Sequence, residues 1–483
     1  MVARDGGDAG SATMTLISEP TGSQGRHAAD PAPGDLTDLA GGLTGRLVTS
    51  ADADWDAHRM PWNVVVDQQP AAIVVAAGAD DVVTTVRYAA AHGLAVAAQP
   101  GGHGASRASD GTILLRTGAL DDIWIDADAR VARVGAGVKW GALQAALDGT
   151  GLSGLVGSNP DVTVVGLCLG GGIGWLGRAF GRGSDAVRSF EVVDAEGQHR
   201  WVTDASDPDL MWALRGGGGD LAVVTAVELD LFPVPELAAA TLAFPGDAAA
   251  SVLRAFAAVT RTAPRELTLW ANLMHLPDAP FVPEPMRGQS FAMVTACFLG
   301  DADALDALVA PLREAGPVLR DEVRAITPGQ LGMIAEEPVD PTPAVMAGTL
   351  LHTLDDAAVD ALLAQIGVGT GTVLAGGSIR HLGGALAERR SSAVAGPIAE
   401  PYSFAAMGIV PVPELAGVVD AQLDAVVAAL GPWSTGRSVL TFLDRGESMA
   451  RCYDGPLLAR LRAVKAAVDP DGVVRSNRPI PQA

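Results

Sequence analysis

Hydrophobic positions begin to organise at about Leu36, and the clearest pattern runs through PAAIVVAAGADDVVTTVRYAAAHGLAVAAQP. The apolar run 72–76 predicts a short buried strand. Asp80 and Asp81 follow as a helix start, where acidic groups suit the positive end of the helix dipole. Val82, Val83, Val86, Ala89 and Ala90 then fall at helical spacing on one face. Gly93 ends the helix, and 94–98 reads as a second buried strand. This strand–helix–strand unit delivers the loop PGGHGAS, with His103 inside it.

The pattern continues with a strand in GTILLRTGAL, a hairpin-like pair in DDIWIDADARVARVGAGVKW, and a helix in WGALQAALDGTG closed by Gly149 and Gly151. Beyond the glycine-dense GLVGSNPDVTVVGLCLGGGIGWLGRAFGRGSD come two strands in SFEVVDAEGQHRWVT and a helix in PDLMWALRGGGG. Pro233, Val234 and Pro235 punctuate the chain and place a domain boundary near 236. From about 240 to 430, alternating strands such as SFAMVTACFLG and VLAGGSIRHLGG interleave with alanine-rich helices such as DAAVDALLAQIG. That alternation predicts an antiparallel sheet with helices on one face, an α+β second domain. The tail LLARLRAVKAAVDPDGVVRSNRPIP predicts a helix stopped at Asp469 and Pro470, then an extended end.

Composition changes this picture in three ways. The chain has 483 residues, 48% of them hydrophobic, enough for more than one domain. A net charge of −23 argues against nucleic acid or an anionic membrane as partner, though not against a small anionic ligand in a local pocket. Cys168, Cys297 and Cys452 have no metal-type spacing, and so sparse and odd a set fits a reducing compartment better than a disulfide framework. No metal site is expected. Residues to about 34 are rich in Gly, Ala, Ser, Pro and Asp with weak periodicity, so a disordered tail is expected there, and 1–45 is taken as poorly ordered. It has no apolar signal region, no membrane-spanning run follows, and a cytoplasmic location is the expectation.

Gly172, Gly174 and Gly177 spell GxGxxG, and Asp194 ends a strand at the distance a dinucleotide fingerprint asks. A nicotinamide-binding Rossmann reading would need a helix to begin at the last glycine and face pyrophosphate. Gly181, Arg182, Gly183 and Ser184 interrupt that helix, so this reading is set aside. Two glycine-rich segments remain, PGGHG and GLCLGGGIG. Glycines let backbone N–H groups turn inward and a phosphate approach closely. Either alone is a tight turn. Together, with His103 inside one, they suit a dinucleotide pyrophosphate and an adjacent flat ring.

These residues resemble the berberine bridge enzyme-like FAD-linked oxidases of the vanillyl-alcohol oxidase superfamily. The resemblance runs from Trp62 and Asn63 to the C-terminus, through PGGHGAS, NPDVTVVGLCLGGGIGWL, GSDAV, DLMWALRGGGGDLAVVT, IRHLGGAL and RLRAVKAAVDPDGVVRSN. It implies an α+β chain: a PCMH-type FAD-binding domain over 46–236 and an antiparallel-sheet substrate domain over 237–438 with helices on one face. The segment 439–483 would return to the first domain. It implies FAD bonded covalently through His103. Other FAD contacts carry over onto Pro100, Gly101, Gly102, Gly104, Ala105, Ser106, Asn159, Val162, Gly166, Gly170, Gly171, Gly172, Gly174, Trp175, Asp185, Val224 and Asn477.

The chain departs from the family pattern twice. Many relatives carry a second flavin link, a cysteine in CPxVG. Here the stretch is NPDVT, with Asn159 in that place, so a single link is expected. Relatives often carry a Tyr-x-Asn base motif. Here the stretch is SVLTFLD, and neither Val439 nor Thr441 can serve as an ordinary general base. Replacement bases are His352, His381, Tyr402 and Asp444, with Tyr402 and His381 ranked first. Arg380 and His381 adjoin on a strand and must face opposite ways. The expected function is an FAD-dependent oxidase that takes hydride from a small organic substrate to flavin N5. Dioxygen is the acceptor and hydrogen peroxide the product, and a secondary metabolite suits the substrate role. Val162, a small apolar residue near the flavin, is compatible with oxygen access. A non-redox cyclase using the same pocket is the alternative. The oligomeric expectation is monomer or homodimer.

Overall fold

The computed structural model describes residues 36–280 and 282–482. The tail expected up to residue 34 lies outside them. Residues 36–45, assigned with that tail to the poorly ordered stretch 1–45, are ordered instead. The helix Thr37–Gly42 buries Leu39, and the Asp81 carboxylate accepts from the N–H groups of Thr44 and Gly45 at 2.7 and 2.8 Å. One buried side chain and a distant carboxylate supply the order, and neither leaves a periodic signal.

The first region holds two sheets. Strands Ala72–Val75 and Val96–Ala98 flank Ile113–Arg116 in parallel, with Arg46–Val48 at the edge. The helix Ala79–His92 joins the first two and stops at Gly93, whose φ of +66° is the left-handed conformation glycine tolerates. The second sheet is antiparallel, with Val223–Asp230 between Val131–Gly135 and Val187–Val193. After GxGxxG the helix Gly177–Phe180 has only 4 residues and ends at Gly181 with φ +106°. A phosphate-facing crossover helix is therefore absent there, as the interrupting residues predicted.

The second region is a seven-stranded antiparallel sheet. Its spatial order is Arg320–Ala325, Ala238–Pro245, Ser290–Phe298, Leu267–His275, Gly376–His381, Tyr402–Ile409 and Ala344–Leu351. Helices Ala249–Thr260, Asp356–Ile366 and Ala416–Ala429 cover one face through Phe244, Phe256, Phe404 and aliphatic neighbours. The opposite face turns toward the first region, where Trp270 stacks on Trp175 with ring centroids 3.6 Å apart. The fold is α+β.

The helix Gly455–Val468 closes the chain. Beyond it Val473 and Arg475 extend the strand at Val96 (Val96 N–H to Val473 O, 2.7 Å; Arg475 N–H to Val96 O, 2.9 Å). Lys465 holds the turn from inside by donating to Asp469 Oδ2 at 2.6 Å and Val474 O at 2.7 Å. This return brings Asn477 against the PGGHG loop.

Candidate cofactor cleft

The PGGHG loop leaves the end of strand Val96–Ala98, with Pro100 half-buried at its start. Gly102 has φ +88°, and a Cβ there would lie 2.7 Å from Pro61 Cβ, so only glycine fits. The loop is held from outside. Trp62 and Asn63 donate their backbone N–H groups to Gly101 O and Gly102 O at 2.9 and 3.2 Å. Ser106 Oγ donates to Asn477 O at 2.6 Å, the Asn477 amide donates to Gly104 O, and Ala105 is buried beneath. Among the described residues, the backbone N–H groups of Gly101, Gly102, His103 and Gly104 have no hydrogen-bond acceptor. Buried or half-buried amides are almost always paired. Three half-buried unpaired ones at Gly101–His103, followed by that of the exposed Gly104, make a run of donors suited to an anion.

His103 is set by its surroundings. The Trp62 indole stacks on its ring at 4.1 Å and 16°. Its Nε2 is buried without a hydrogen bond, since Asp161 Oδ2 at 3.5 Å stands at ion-pair distance only. Asp161 is also paired with Lys139 Nζ. Burial pushes the imidazole below its ordinary pKa, while Asp161 and Glu337 oppose that shift. The ring is thus held neutral at neutral pH, in a fixed plane, with a nitrogen lone pair available.

The second glycine segment closes on the first. Thr163 caps the helix Val164–Leu169 by accepting from Gly166 N–H at 3.3 Å, and Gly166 itself is exposed. A Cβ on Gly170 would lie 2.6 Å from Thr441 Cγ2, which brings the altered base motif against this loop. Gly171 and Gly172 have φ of +93° and +70°. Val162 is half-buried at the start of the segment. Asn159, in the place of the second tether, donates to Pro338 O and accepts from Asp161 N–H, both at 2.8 Å. Cys168 is fully buried with its thiol pushed up to about 12, so it is no rival tether.

Several carried-over positions also answer packing or local hydrogen-bonding needs of the fold. A Cβ on Gly174 would lie 1.7 Å from Val156 O, so this glycine answers a backbone crossing. Trp175 is 1% exposed under Trp270, and Val224 is buried in the antiparallel sheet. The Asp185 carboxylate accepts from Arg182 N–H at 3.0 Å and the Ser391 hydroxyl at 2.5 Å.

The two leading base candidates are corrected by the register. His381 pairs with Tyr402 across the strands, and Tyr402 lies in the helix-side core. Tyr402 shares a 2.6 Å hydrogen bond with Thr260 Oγ1, and burial raises its phenol. His381 Nε2 accepts from Arg178 at 2.9 Å, and burial with that guanidinium drives its pKa to about 3. Neither side chain reaches the cleft, because the strand period puts Arg380 there instead. His352 is exposed and engaged with Pro432 O at 3.2 Å, and Asp444 accepts from Met346 N–H at 2.9 Å.

Sequence reasoning missed Glu337. It sits on the strap 336–343, whose carbonyls Pro338 O and Val339 O accept from Asn159 and Trp62 at 2.8 Å. Its carboxylate faces Arg380 at 3.3 Å. A loop without periodicity offered no signal for it.

Comparison with known proteins agrees with this architecture. Residues 70–203 match the family of FAD binding domains. The chain is 34% identical to (R)-6-hydroxynicotine oxidase of Paenarthrobacter nicotinovorans over 195 residues, 40% of this chain and 43% of that protein. The alignment thus spans less than half of that relative. The fold superposes on Physcomitrella patens BBE-like 1 with TM-score 0.81 and 19% identity, over 92% of this chain and 98% of that one. It superposes on 6-hydroxy-D-nicotine oxidase from Arthrobacter nicotinovorans with TM-score 0.74 and 25% identity, over 90% and 97%. Residues 70–203 therefore match an FAD binding domain, the fold is that of berberine bridge enzyme-like 1, and the sequence relatives are FAD-linked oxidoreductases. No helix among the described residues is long and apolar enough to cross a membrane.

Proposed function

We propose that this protein is an FAD-dependent oxidase of a small organic substrate, with the flavin attached through His103 alone. The observation that carries the reading is the row of four unpaired amides at Gly101–Gly104 around a half-buried imidazole whose Nε2 has no hydrogen bond. When bound, FAD supplies a hydride acceptor that dioxygen can regenerate, with hydrogen peroxide as product.

The chain's own residues divide the remaining work. The amides of the first loop would hold the pyrophosphate, Trp62 keeps the His103 ring in its plane, and Asn477 fixes the loop from the C-terminal side. Asn159 cannot form a thioether, so no second tether is available. The sheet face bearing Trp270 and Arg380 would roof the cleft. Val439 packs into an apolar cluster with Ile173 and Leu350. With Thr441 beside it, this corner offers no base. An alcohol must give up its proton as hydride leaves. A carbon next to a neutral amine needs no such base, because the nitrogen lone pair drives hydride loss. We infer a substrate of this second kind, or one with an otherwise activated C–H bond.

The test is acid precipitation of the purified protein. Yellow colour is expected in the pellet, with the flavin mass on the peptide carrying His103. The His103→Ala variant should release all its flavin to the supernatant. Flavin free in the supernatant of the wild-type protein would refute the covalent link, and a protein that neither carries nor takes up FAD would refute the whole reading.

A further inference from the structure

We propose that Arg380 sets the specificity of the cleft by anchoring a carboxylate on an otherwise apolar substrate. The inference rests on the FAD-dependent reading above and names the substrate class of the same site.

Strand register places the residue. Arg380 lies opposite Trp270 on one side and Ser403 on the other. Trp270 stacks on Trp175, so this row of the sheet faces the first region. The Arg380 guanidinium lies 4.1 Å from the Trp270 ring and 4.9 Å from that of Phe442. Two aromatic faces hold it by cation–π attraction and fix the direction of its donor fork. Phe442 belongs to SVLTFLD, the stretch where a tyrosine and an asparagine would stand. In that stretch Val439 and Thr441 offer no ionisable group, so Arg380 is the charged group beside it.

That cation is under-used by the protein. Its Nη2 donates to Ser158 Oγ and to Glu337 Oε1, both at 3.3 Å. Among the described residues, Nε and Nη1 have no acceptor, although the side chain is only 13% exposed. A guanidinium removed this far from water ordinarily engages a carboxylate through two parallel bonds. Here its one counter-ion reaches a single nitrogen from a strap whose Glu337 side chain is 34% exposed. The unengaged N–H groups can donate to a second carboxylate in the cleft.

The neighbouring rows describe the rest of the ligand. Asn272 and Ser378 pair in the next row, and Met274, Met293, Met346 and Met407 share the same face, all half-exposed. Methionine is flexible and polarisable, so this surface adapts to an apolar body without fixing its shape. One charge and a soft apolar wall match a monoanionic organic acid.

Benzoate and benzamide are the probes, with binding to the FAD-loaded protein read from the flavin absorbance change and from the shift in Tm. Benzoate should bind about tenfold or more tightly than benzamide. Arg380→Gln should abolish that preference while leaving benzamide affinity unchanged, Arg380→Lys should keep part of it, and Glu337→Gln, on the surface strap, should strengthen benzoate binding. Equal affinities for the two probes, no benzoate binding, or an unchanged preference in Arg380→Gln would each overturn the proposal. Because flavin content is measured first and the Tm shift does not require flavin, failure of the cofactor reading is seen separately.

Discussion

Arg380 and His381 are consecutive on one strand and point to opposite faces of the seven-stranded sheet. Arg380 lies between two aromatic rings with donors unengaged, on a face lined by half-exposed methionines. His381 sits beneath the sheet beside Tyr402, is 5% exposed, and meets a guanidinium that is fully engaged. The contrast extends along both faces. The helix-side face carries Phe404, Ile379 and Leu269 in close packing. The cleft-side face leaves polar and soft groups half-exposed. The same alternating sequence thus makes one surface that holds the fold together and one free to bind. Substitutions on the helix side should change stability and leave ligand affinity alone, and those on the cleft side should do the reverse.

The largest effect expected on the stability side is at Arg178. It donates to Leu267 O at 2.7 Å, Pro264 O at 3.1 Å and Ala263 O at 3.3 Å, as well as to Leu382 O and His381. Arg178→Met leaves several buried carbonyls without donors. Urea unfolding should show a loss of about 3 kcal/mol. A loss below about 1 kcal/mol would mean that this junction is not what fixes the sheet against the first region.

His381 gives the next effect, and it depends on pH. Its pKa is about 3 in the folded protein against an ordinary 6.5. A depressed folded value means that the unfolded chain takes up the proton first. The stabilising contribution is therefore complete above about 6.5 and is lost as pH falls toward 3. Between pH 6.5 and 5 the wild-type protein should lose about 1.5 kcal/mol more than His381→Gln. Parallel stability profiles for the two proteins would show that the imidazole titrates freely in the folded protein.

Much of this arrangement was legible in the sequence, for identifiable reasons. Acidic residues at a helix start, an apolar stripe and Gly93 mark the first strand–helix–strand unit. The break at Gly181–Ser184 rules out a phosphate-facing helix. Alternation shows that Arg380 and His381 must diverge. It does not show which one faces the cleft. That depends on pairing with Trp270, a contact more than a hundred residues away in sequence. Asn159 and Val439 mark what is missing by their positions in motifs. Glu337 and Leu39 leave no such mark, because each takes its place only through tertiary contacts. Gly174 shows the converse: its place in the glycine motif points to the cofactor, while the backbone crossing at Val156 by itself already requires glycine there.

The smallest effect is the sharpest test of the comparison. Tyr402 ranks high by residue type alone, as a phenol near the C-terminal part of the substrate sheet. The structure gives its hydroxyl one partner, Thr260 Oγ1 at 2.6 Å, inside the helix-side core. Tyr402→Phe removes that bond, and Thr260 Oγ1 keeps its donation to Ala257 O at 3.0 Å, so stability should fall by only about 1 kcal/mol. Flavin content, the rate of anaerobic flavin reduction and the benzoate-over-benzamide preference should all stay at wild-type values. A drop of tenfold or more in the reduction rate, with stability unchanged, would place the phenol at the reacting carbon. It would then be the helix-side face, and not the Arg380 face, that meets the substrate.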